Sequence, residues 1–254
     1  MRRASTCLAV LGLAIFGLAS VASAAPTVTF KATAEPIEGF PKTGNILGAG
    51  AALRSEFTIS GTEYGGFPPP VIGINVSLPA GAKINKSGWK ACTAETLEHI
   101  GPTGCPKGSA AGPVGHALGI VSFGKERVEE ETTVQGFFAP GGGLDFFTDG
   151  HSPVALEIVS KGKFIHAGGK FSEQFVGEVP LVETVPGAPD ASIEKINVKV
   201  GAARKEHGKT IYYGTEPTKC HGGLPLKAEV VFAELGGLPR QAVTVPYTAP
   251  CPRK

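Results

Sequence analysis

The sequence predicts an all-β protein built as an antiparallel β-sandwich, and three observations predict it. Apolar and polar residues alternate with a period of two in six separated segments. Gly and Pro, 36 and 21 of the 254 residues, punctuate those segments instead of pooling in one low-complexity block. The cysteines that follow the first 24 residues fall into two local pairs, which suits an oxidising compartment.

The alternation is clearest where Leu53, Ser55, Phe57 and Ile59 take one face of a strand and Arg54, Glu56 and Thr58 the other. It recurs in Ile72, Ile74, Val76 and Leu78; in Val154, Leu156 and Ile158; in Ile196, Val198 and Val200; in Leu226, Ala228, Val230 and Phe232; and in Val243, Val245 and Tyr247. A half-buried antiparallel strand has this pattern, and so many of them in one chain point to a jelly-roll or Ig-like sandwich. At most one short helix fits, near residues 91–100, where the run after Cys92 is closed by Gly101-Pro102. Pro68-Pro69-Pro70 forms a stiff extended approach to the next strand. Gly141-Gly142-Gly143 forms the turn between a strand ending near Phe138 and one holding residues 144–147. Residues 186–190 concentrate Pro, Gly and Asp and mark a sub-boundary within a single domain spanning 25–254.

Residues 1–24 read as a cleavable export signal: Arg2 and Arg3, an apolar stretch from Leu8 to Leu18, and Ala22-Ser23-Ala24 before the cleavage point. Cleavage removes Cys7 and leaves 22 basic against 22 acidic residues, so net charge offers no pull toward nucleic acid or anionic lipid. No second apolar segment of spanning length follows. The expected product is secreted or held at the cell surface, with no membrane span.

Four cysteines remain, and the sequence-local pairing joins Cys92 to Cys105 and Cys220 to Cys251. Each bridge closes a short loop and constrains the unfolded chain by about 3 kcal/mol. No Cys-x-x-Cys pair supports zinc, no alternating Asp/Asn loop supports calcium, and the six histidines show no metal-binding spacing. No metal or cofactor is expected.

Catalytic signatures are equally thin. Gly150-His151-Ser152-Pro153-Val154 lacks the second glycine of a hydrolase elbow and leads into a strand, so Ser152 reads as a turn residue. Ser87 with Lys90 and Ser160 with Lys163 share a Ser-x-x-Lys spacing, but neither opens a helix. The acidic run Glu129-Glu130-Glu131 reads as a solvated strand end, and Asp145 and Asp149 as a turn flank. No catalytic residue is nominated. The doublets Phe137-Phe138, Phe146-Phe147 and Tyr212-Tyr213 send neighbouring rings to opposite faces, which requires loops over the outer rings or a contact patch. Trp89 is the one tryptophan, a thin basis for a sugar platform.

From Pro70 to Gly112 the chain carries Leu78-Pro79-Ala80-Gly81, Cys92, and Cys105-Pro-Lys-Gly-Ser-Ala-Ala-Gly112. Later it carries Thr215-Glu-Pro217 before Cys220, and Pro250-Cys251-Pro252. With these elements it resembles secreted β-rich proteins of unknown function from high-GC Gram-positive bacteria. The resemblance implies an exported bacterial protein and brings no activity or site residues with it. The function expected from sequence is therefore non-enzymatic, a binding or envelope-structural role with an envelope component or protein as partner. Ser109, Phe138 and Phe147 are the positions of interest. A secreted hydrolase with a triad from distant residues, or a carbohydrate-binding module, is the alternative.

Overall fold

Alternating apolar faces need a wall to press against, and here the wall is the far side of the same sheet. The computed structural model describes residues 25–40, 42–123 and 125–253; the expected export signal at 1–24, with Cys7, lies outside the described residues. The long strands are β1 (Thr27–Glu35), β2 (Ala52–Ser60) and β3 (Val71–Pro79), then, after the short β4 (Lys83–Ile84), β5 (Gly115–Phe123), β6 (Glu126–Phe138), β7 (Leu144–Gly150), β8 (Leu156–His166), β9 (Phe171–Glu178) and β10 (Ser192–Val200). The short β11 (Ala203–Glu206), β12 (Lys209–Tyr212) and β13 (Gly214–Thr215) precede β14 (Leu224–Phe232) and β15 (Gln241–Ala249).

Eleven strands form one sheet in the order β1-β2-β10-β5-β6-β7-β8-β9-β3-β14-β15, antiparallel throughout. It is nearly closed: the edge strands β1 and β15 lie against each other, with the rings of Phe30 and Tyr247 5.9 Å apart. The architecture is all-β with one short helix, as the sequence predicts. The two layers of a sandwich are here opposite walls of one curled sheet.

The predicted alternation sorts inside from outside. Phe57, Ile59, Val76, Val198, Ala228, Val230 and Phe232 are buried, while Glu56 and Thr58 face solvent. On the outer face, Arg54 donates to Glu35 and Asn197, and Lys199 pairs with Glu35, which ties β1, β2 and β10 together. Apolar inside and charged outside is the reverse of a barrel that crosses a membrane. Among the described residues no helix is long and apolar enough to cross one.

The helix α1 (Ala94–Ile100) forms where expected. Thr93 caps it by accepting from the Thr96 amide, and Gly101, at φ 75°, ends it in a conformation that glycine adopts readily. Its apolar residue Leu97, wholly buried, sits on the outer face of the sheet with Cys92, Phe137, Phe147 and Val159. This cover explains the phenylalanine doublets. Phe137 and Phe147 point outward beneath α1, while Phe138 and Phe146 belong to a second aromatic cluster with Tyr213 and Trp89.

One end of the curled sheet is sealed. Pro68, Pro69 and Pro70 are buried there ahead of β3. Arg127 stacks over Tyr64 and Phe67 and donates to the Tyr64 and Asp190 carbonyls and to Ser192 Oγ. Residues 186–190 are the crossing from β9 to β10, two strands of the same sheet, and Ser122 Oγ holds the Pro189 carbonyl at 3.1 Å. At the other end the small β4–β13 and β11–β12 pairs and the Cys220–Cys251 bridge gather.

Leu97→Ala removes the buried side chain of α1 from its packing on the sheet. Its expected cost is about 3 kcal/mol of unfolding free energy, read by urea denaturation against the wild type.

Candidate functional site: an apolar chamber within the sheet

A closed sheet of eight strands is just wide enough for side chains to fill, and width grows with strand number. Eleven strands therefore leave space unless the inward residues are large. On one wall they are: Val28, Phe30, Phe57, Ile59, Val230 and Phe232 pack as the core. On the wall made by β5 to β9 many inward positions hold small residues, among them Ala117, Gly119, Thr132, Thr148, Ser160 and Gly177. The Phe175 ring lies across Gly162, where a Cβ would come within 2.1 Å of it, so glycine is required there.

The consequence is a cavity of about 450 Å³ between the walls, within the range of small-molecule sites. Ile74, Phe146 and Ile196 point into it and stay partly accessible although they face the interior. At the sealed end Glu130, wholly buried, accepts from the amides of Ser152 and Val154 at 3.0 and 3.1 Å. At the other end the wall includes the exposed residues Asn45, Lys83 and Pro250, so the chamber reaches the surface there.

Two unusual polar groups also stand at this open end. Glu216, on the wall just after β13, has no ion pair or side-chain hydrogen bond among the described residues, and burial raises its pKa to about 7. Tyr213 is 2% exposed, its hydroxyl has no partner among the described residues, and burial pushes its ionisation well above the usual range for a tyrosine.

The residues singled out from sequence lie elsewhere. The structure joins Cys92 to Cys105 and Cys220 to Cys251, with Cα separations of 5.2 and 5.7 Å. Ser109 is buried, and its carbonyl accepts from the Phe138 amide at 2.8 Å. Phe138 stacks on Trp89, with centroids 4.7 Å apart, and Arg204 covers the Trp89 ring, so this tryptophan presents no open sugar platform. Phe147 lies under α1. Ser152 is exposed in a turn, and His151 meets Asp149 at 3.2 Å on the surface. Among the described residues, no side-chain hydrogen bond joins a serine to a histidine, and no three metal-ligating side chains gather.

Two sequence readings are corrected. Glu129 and Glu131 are exposed, but Glu130, between them on β6, points inward and holds the turn that seals the chamber. Asp145 and Asp149 lie within β7 rather than flanking a turn. Asp145 is buried on the outer side near the Glu98–Lys161 ion pair, and desolvation raises its pKa.

Fold and site together define a rolled β-sheet protein with an internal apolar chamber that opens at one end. No known protein family, curated protein or solved structure matches the chain.

The raised pKa of Glu216 fixes the sign of a pH effect. Below its ordinary value of 4.5 the carboxyl is protonated in folded and unfolded chains alike, and it contributes nothing. As pH rises toward about 7 the unfolded chain ionises first, so stability falls, and the full cost is present above that pH. Glu216→Gln removes this term. Relative to wild type, the variant is expected to gain on the order of 2–3 kcal/mol between about pH 4 and pH 8, read from denaturation curves at both pH values.

Proposed function

We propose that this is an exported, non-enzymatic binding protein that encloses an apolar small molecule inside its sheet. The observation that carries the proposal is the chamber: apolar inward side chains left partly uncovered within a protein whose outer face is polar. Unfilled apolar surface is costly to leave against water, and a ligand that covers it gains what the core elsewhere gains from packing. Export is supported by the two disulfides, which persist in oxidising compartments, and by the signal-like residues 1–24. The cell surface or the surrounding medium is where such a protein would meet its ligand.

A purely envelope-structural role has less support, because the aromatic doublets offered as a contact patch are largely covered from within the chain. Among the described residues, hydrolysis has no serine held by a histidine to support it.

The test uses the uncharged fluorophore phenylnaphthylamine, which brightens in apolar surroundings. The mature protein is expected to give a saturable rise at one probe per chain. Ala117→Phe places a ring in the chamber from β5 and is expected to abolish that rise while the circular dichroism spectrum and cooperative melt stay native. A native protein with no fluorescence rise, or a natively folded Ala117→Phe that binds as wild type does, overturns the proposal.

A further inference from the structure

An apolar chamber chooses among ligands of similar shape through the few charged groups on its wall. There are four here: Glu130, Lys161, Lys83 and Glu216. Glu130 is committed at the sealed end to the Ser152 and Val154 amides. Lys161 reaches away to Glu98, with 2.9 Å between charged atoms. Lys83 is exposed on β4, opposite Thr215 in register. Glu216 is the remaining one. It is half-buried at the open end, and among the described residues no lysine, arginine or side-chain donor reaches its carboxylate.

A carboxylate withdrawn from water without a donor is held at a cost, and a ligand that brings a positive donor removes it. A carboxylate-headed ligand would do the opposite, setting two acids side by side so that one must stay protonated. A hydroxyl head offers a donor but no charge. The apolar walls between Glu216 and the sealed end, including Ile84, Phe164, Phe175 and Ile74, suit an aliphatic chain and offer no second ion-pairing site.

We propose that the chamber takes an alkylammonium ligand, a single aliphatic chain with a cationic amine head, seated with its head at Glu216 and its chain directed toward Ile74 and Phe146. The proposal rests on the chamber being a ligand site.

Isothermal titration calorimetry with dodecylammonium, dodecanol and dodecanoate, each below its aggregation concentration at about pH 8, tests it. Dodecylammonium is expected to bind at least tenfold more tightly than dodecanol, with dodecanoate weakest, and Glu216→Gln is expected to erase the advantage of the amine over the alcohol. If dodecanoate binds wild type as tightly as the amine, or if Glu216→Gln leaves the amine's advantage intact, the head assignment is wrong while the chamber stands. If none of the three binds, the chamber is not a ligand site and both proposals fall. The wild-type ligand series decides the matter even if the variant fails to fold.

Discussion

Rolling one sheet of eleven strands until its edges meet sets the amount of space inside, and everything else in the molecule answers to that space. Part of it is filled by the aromatic and branched side chains of β1, β2, β3 and β14. Part is left open because β5 to β9 contribute many small inward residues. The same wall then has spare outer surface to cover, which is where α1 and the Cys92–Cys105 bridge sit. The ends must also be managed, and they are treated differently. One is sealed by Arg127, the buried prolines and Glu130, whereas the other carries short strands, a disulfide and the half-buried carboxylate of Glu216.

This division shows how much was legible in the sequence. The strands with large inward residues announce themselves by alternation, and five of the six alternating segments lie on β2, β3, β10, β14 and β15; the sixth leads into β8, on the wall of small residues. β5 does not announce itself, because its inward positions include Gly115, Ala117 and Gly119, which carry no apolar signal. β9 is equally silent: Phe171 and Phe175 are separated by polar residues, and Gly177 follows. The residues that keep the chamber open are those that erase the period of two. A cavity is therefore hardest to read along the wall that creates it.

The buried carboxylates are hidden in the sequence for a related reason. Glu130 sits in a run of three glutamates, and composition gives no hint that the middle one alone turns inward until the register of β6 is known. Glu216 lies in a Thr-Glu-Pro stretch directly after β13, whose pairing with β4 is long-range and has no local mark in the sequence. The disulfides and α1 were legible because each is specified by neighbours in the chain, with a cap at Thr93 and a stop at Gly101.

The space between the walls is an apolar chamber that opens at one end. Xenon enters apolar cavities, so crystals of the mature protein under xenon pressure test it directly. Xenon density among Ile74, Phe146 and Ile196 is the predicted result. Side chains collapsed across the space, or no xenon among these residues, would contradict the account.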